Sequence, residues 1–84
     1  MAKLHMCAVR DSAVQAYMRP FVVPHKGGAV RGFMDEVRRP DSELNKHPED
    51  YELWLVGAFD EDTGVVEAVP HECLVRGKDA KESA

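Results

Sequence analysis

The sequence predicts a small α+β domain, with a mainly antiparallel β-β-α-β-β sheet covered on one face by a single helix. Three observations predict it. Tyr51, Leu53, Leu55, Gly57 and Phe59 alternate with Glu52, Trp54, Val56 and Ala58, which is the two-residue period of a strand. Val30, Phe33, Met34 and Val37, with Ala29 beside them, recur at helical spacing instead. Leu4, Met6 and Ala8 alternate with His5, Cys7 and Val9, so the chain begins with a strand that is apolar on both faces.

Each element has a local cause. The first strand runs from Lys3 to Arg10, and Asp11-Ser12 supplies a turn. Ala13 to Arg19 reads as one helical turn or as loop, because Pro20 disfavours helix just before it. Phe21-Val22-Val23 is a short strand between Pro20 and Pro24, and flanking prolines that lack a donor suit a sheet edge. A helix follows from Lys26 or Gly27 to Arg39, ended by Pro40, with Arg38 and Arg39 at the negative end of its dipole. Asp41 or Ser42 can cap one further turn through Lys46, and Pro48 stops it. Tyr51 to Val69 is a hairpin, turned at Asp60-Glu61-Asp62-Thr63-Gly64 and interrupted by Pro70. Cys73-Leu74-Val75 adds a last extended piece. Residues 1–76 therefore form one domain and residues 77–84 a flexible charged tail.

Composition excludes several classes. The chain has 84 residues, 44% hydrophobic and 31% charged, which fits one globular domain with a thin core. No apolar run approaches the roughly 18 residues of a membrane span, and no signal peptide is expected. The net charge is −4, unevenly spread: residues 1–47 carry a balance of +3 and residues 48–84 one of −7. Cys7 and Cys73 form no CxxC pair and are expected to be reduced and packed.

The polar constellations are sparse. His5 with Cys7 and His71 with Cys73 would make a zinc site only if their strands were neighbours, and no metal or cofactor is expected. His47 beside Glu49 and Asp50 suits an acid–base group or, more simply, a capped turn. Ser12, Ser42 and Ser83 lie in turns or the tail, outside any nucleophile-elbow context, so no enzyme is expected. Gly27-Gly28 lacks the remainder of any phosphate-loop motif. For nucleic acid, the candidate binding residues are Lys26, Arg31, Arg38, Arg39, Lys46 and Trp54. The basic members lie on or near the helix, and Tyr17, Tyr51 and Trp54 are the rings available for stacking. Trp54, Val56 and Ala58 occupy the strand face away from Leu53, which is either a stacking platform or, for so small a core, a dimer interface. Arg31 sits near the buried face of the helix, where it either pairs with a carboxylate such as Asp60, the simpler reading, or faces a phosphate.

Several motifs occur in a specific order. They are Tyr17-Met18-Arg19-Pro20-Phe21, then Ala29-Val30-Arg31-Gly32-Phe33, then Asn45-Lys46-His47-Pro48-Glu49-Asp50-Tyr51-Glu52-Leu53. Gly57-Ala58-Phe59-Asp60 and Asp62-Thr63-Gly64 follow. In this order and spacing the chain resembles the small nonstructural protein of gokushovirus-type microviruses, bacteriophages with single-stranded DNA genomes. The resemblance covers roughly residues 3–75. It implies a non-capsid accessory protein of the infected bacterial cytoplasm that assists genome replication or the switch to single-strand synthesis, with DNA binding as the means. It brings no catalytic residues. The expected partners are single-stranded DNA, a second copy in a homodimer, and a phage or host replication protein. The alternative is a non-catalytic adaptor that binds such a protein through the open sheet face or through the edge strand Phe21-Val22-Val23.

Overall fold

The computed structural model describes residues 3–82. Five strands form one sheet: β1 (Lys3–Asp11), β2 (Ala16–Tyr17), β3 (Phe21–Val23), β4 (Tyr51–Asp60) and β5 (Val66–Arg76). Three helices accompany it: α1 (Lys26–Arg38), α2 (Glu43–Lys46) and α3 (Gly77–Glu82). A 3-10 turn spans Pro48–Asp50. The strand order is β2-β1-β4-β5, and β3 pairs with β1 on the same side as β2. All pairings are antiparallel.

The α+β architecture matches the sequence expectation, and the differences have local causes. The ambiguous stretch after Asp11 is a tight turn into β2, with Arg10 opposite Tyr17 and Gln15 at a φ of 55°. The Asp11 carboxylate accepts the Ala13 N–H at 3.0 Å and fixes that turn. Ser42 caps α2, its hydroxyl accepting the Leu44 N–H at 3.1 Å. β5 passes through Pro70 without a break. Val69, Pro70 and His71 fall between the partners of Leu55 and Gly57, so only Val56 lies opposite three residues. In that bulge Pro70 owes no ladder hydrogen bond.

The core lies between the sheet and α1. Ala29, Phe33 and Val37 of α1, spaced by four, meet Cys7, Leu53 and Leu55, with Leu44 and Ala80 closing the ends. Phe59 belongs to neither core nor α1 face. Val56 also interrupts the β1–β4 ladder, so Gly57 pairs with Met6 and Phe59 with Leu4. Leu4 and Met6 alternate with the buried Cys7, and the one-residue shift turns Phe59 to the open face. The same shift pairs Ala58 with His5, on the covered side. Of Trp54, Val56 and Ala58, only Trp54 therefore keeps a regular place on the open face.

The expected flexible tail is corrected as well. Gly77–Glu82 is a helix, Ala80 is buried at 1% exposure, and Arg38 donates from Nε and Nη2 to the Ala80 carbonyl at 3.3 and 3.2 Å. Ser83 and Ala84 lie outside the described residues. Gly77 is needed by close approach: a Cβ there would run into the Pro48 carbonyl oxygen and stand 3.0 Å from the Tyr51 oxygen. Gly32 has nothing within 4 Å of a Cβ. Gly77→Ala is therefore expected to destabilise by about 1–3 kcal/mol, as overpacking does. Gly32→Ala, inside a helix with open space, should stabilise by about 0.5–1 kcal/mol. Urea denaturation of both variants checks the pair, and equal effects would contradict the packing of the β5–α3 junction.

Candidate nucleic-acid interface

α1 buries one stripe, so its charged residues are driven to its other sides. Lys26 stands at its start, 3.6 Å from the Glu72 carboxylate. Arg31 is exposed, one turn later. Arg38 and Arg39 lie at its end, about 18 Å from Lys26 at 1.5 Å per residue. Arg38 is engaged with the Ala80 carbonyl. Arg39 lies 2.9 Å from Glu36 and 3.4 Å from Asp41. Lys46 of α2 lies 3.7 Å from Glu43. Four of these five basic residues thus already have protein partners, and they do not converge on one patch.

Arg31 differs from expectation. It forms no ion pair with Asp60, whose carboxylate instead accepts the N–H groups of Asp62 and Thr63 at 2.9 and 3.3 Å within the hairpin turn. Arg31 lines a cleft at the start of α1 with Pro24, His25, Gly27 and Gly28, where the N-cap His25 makes no side-chain capping bond. A second, apolar groove of about 240 Å³ lies between β3 and α1, lined by Val9, Phe21, Val23, Ala29, Phe33 and Leu44 among others. β3 stands at the sheet edge, with Phe21 and Val22 exposed.

Trp54 lies on the face of the sheet opposite α1. Cross-strand neighbours share a face, so the register groups further residues with it. Ala8 and Cys73 flank Trp54 on either side; Arg10 and Arg76 flank Glu52. Tyr17 is opposite Arg10, whose guanidinium carbon lies 5.9 Å from the ring centroid. The Tyr17 and His71 rings meet edge to face at 6.2 Å. The Trp54 indole N–H donates to the Glu52 carboxylate at 3.0 Å, which fixes the ring. Arg10, Tyr17, His71 and Arg76 thus join Trp54 on one surface. Sequence reasoning named Tyr17 as a stacking ring but missed Arg10, His71 and Arg76. The signal for Arg10 was its alternation with Val9 and Cys7. Arg76 follows Pro70, which interrupts the hairpin in the sequence, and lies one residue beyond the last extended piece, Cys73-Leu74-Val75. Tyr51 is no stacking ring: it packs against the core, and burial together with Asp11, Glu43 and Asp50 pushes its phenol above the usual value.

Among the described residues, Arg10, Arg19, Arg31 and Arg76 have no carboxylate within 4.0 Å. The four-residue zinc arrangement does not assemble, because β4 separates β1 from β5 and Cys7 and Cys73 lie on opposite faces. His47, Glu49 and Asp50 do bring possible ligand atoms within 4.8 Å of one another, on an exposed turn. No described helix is long and apolar enough to cross a membrane.

The family model described as Phage ORF5 protein matches residues 4–80. The chain belongs to the Phage ORF5 protein family. No curated protein and no solved structure matches it. The match to this phage family runs through Ala80, so the family unit includes most of α3 as well as the sheet.

The face assignment of the phage protein has a chemical consequence. Cys7 is fully buried and Cys73 is exposed. Desolvation raises both thiols above their usual value, and Glu52 adds to the rise at Cys73. Native alkylation should therefore modify Cys73 first, faster as pH rises, and reach Cys7 only at the rate of unfolding. Mass mapping of the modified peptides checks this, and equal rates would contradict the opposite-face placement.

Proposed function

We propose that this phage protein is a nonstructural accessory protein of the gokushovirus type, without enzymatic activity, that acts in the host bacterial cytoplasm. It binds DNA and assists genome replication or the switch to single-strand synthesis. Family membership supports the phage setting, and the ordered motifs from Tyr17 to Gly64 support the gokushovirus type. One observation carries the DNA reading. In a chain with a net charge of −4, Arg10, Arg19, Arg31 and Arg76 have no carboxylate partner among the described residues, which leaves them able to receive phosphates. Lys26, Arg39 and Lys46 can contribute only by exchanging an existing carboxylate for a phosphate.

A second reading, a protein-binding adaptor, is favoured by β3. Its exposed Phe21 and Val22 and the adjoining apolar groove suit addition of an extended strand from a replication or assembly factor. Self-association into a homodimer is supported by Leu4, Met6, Phe59 and Val66, whose register gathers them at the hairpin end of the open face.

The test is fluorescence anisotropy of a labelled single-stranded oligonucleotide at several salt concentrations. Micromolar or tighter binding, weakening linearly with log salt, is expected. Absence of binding at low salt would reject the DNA reading. Under the adaptor reading, Phe21→Asp abolishes binding of a purified phage replication protein and leaves the fold, measured by circular dichroism, unchanged.

A further inference from the structure

We infer that the DNA site is the open face of the sheet, and that its ligand is single-stranded, with bases stacking on Trp54 and Tyr17 and phosphates held by Arg10 and Arg76. The inference rests on the DNA-binding reading and goes beyond it by naming the surface and the side chains that hold the strand.

The sheet has one face under α1 and one without a helix over it. On the second, the pairings Arg10↔Tyr17, Arg10↔Glu52, Glu52↔Arg76 and Trp54↔Cys73 put two aromatic rings and two arginines on adjacent strands. Neighbouring strands are about 4.8 Å apart, so the group spans roughly 15 Å from β2 to β5. That width accommodates two or three nucleotides of an extended strand. Tyr17 is 44% exposed, and Trp54 is half-buried with its indole N–H fixed on Glu52. The charges are complementary to a phosphate chain at the flanks: Arg10 and Arg76 bracket Glu52, and neither has a carboxylate within 4.0 Å among the described residues. Base faces are hidden in a duplex and open in a single strand, so stacking selects the latter. Lys26, Arg31 and Arg38 of α1, with Arg39 at its C-cap, lie on the opposite side of the sheet and do not join the same strand contact.

Trp54 is the single tryptophan of the chain, so its fluorescence reports this face directly. Titration with an unlabelled single-stranded oligonucleotide should quench it in parallel with the anisotropy change, and a duplex of equal length should bind at least about tenfold more weakly. The Arg10→Ala/Arg76→Ala double variant should lose at least about tenfold in affinity. Its salt slope should fall by about 1.4, two contacts at 0.7 each. The Arg31→Ala/Arg39→Ala variant should lose less affinity, and less salt slope, than the Arg10→Ala/Arg76→Ala variant. Circular dichroism checks that each variant is folded, and Trp54→Phe, which keeps a ring, should retain more affinity than Trp54→Ala.

Two failures are distinct. If the parent binds neither single strand nor duplex at low salt, the DNA-binding reading itself is rejected. If it binds without quenching Trp54, and Arg31→Ala/Arg39→Ala rather than Arg10→Ala/Arg76→Ala removes binding, DNA binding stands and the open-face site is overturned. Equal affinity for duplex overturns the single-strand preference.

Discussion

Everything in this protein hangs on the seam where β1 and β4 pair beneath α1. Cys7 and Leu53 are completely buried there, Leu55 nearly so, and Phe33 and Val37 of α1 close over them. Each such side chain contributes about 1.5–3 kcal/mol on burial. A folded domain retains only about 5–15 kcal/mol in total, so few positions of this kind decide whether the chain folds. With so thin a core, α3 is no ornament: Ala80 fills the end of the seam, and Arg38 ties its carbonyl back to α1.

The seam also divides the molecule into two chemically different sides. Only one face of the sheet is roofed by α1, so alternation along β1 and β4 sends every second residue to the other. The Val56 bulge reverses that alternation partway along β4 and splits the open face in two. Leu4, Met6 and Phe59 gather toward the hairpin end; Arg10, Tyr17, Glu52 and Trp54 gather toward the other. A single extra residue thus separates an apolar patch from an aromatic and charged one.

Charge pairing sorts the cations in the same way. The pairs Lys3–Glu67, Arg39–Glu36 and Lys46–Glu43 are exposed, and such contacts contribute about 0–1 kcal/mol each. Their weight in stability is small, but they occupy side chains that composition alone would count as available to an anion. Clustering of basic residues in the sequence was therefore a poor guide to free positive charge. Lys26, Arg39 and Lys46 are conspicuous in the sequence and are paired, whereas Arg10 and Arg76 are inconspicuous there and have no carboxylate partner among the described residues.

By itself the sequence determined what depends on neighbours along the chain. The 3.6-residue stripe made α1, strict alternation made β1 and β4, Ser42 capped α2, and Asp60 with Gly64 made the hairpin turn. These follow from side-chain period and local hydrogen bonding, which involve only a few adjacent residues. Tertiary structure alone decided the rest. The continuity of β5 through Pro70, the reversal of Phe59, the burial of Ala80 and the meeting of Arg10, Tyr17, Trp54 and Arg76 all require strands far apart in sequence to pair in one register. A register is set by which pairing buries the most apolar surface over the whole sheet. No window of the chain short enough to read contains that sum.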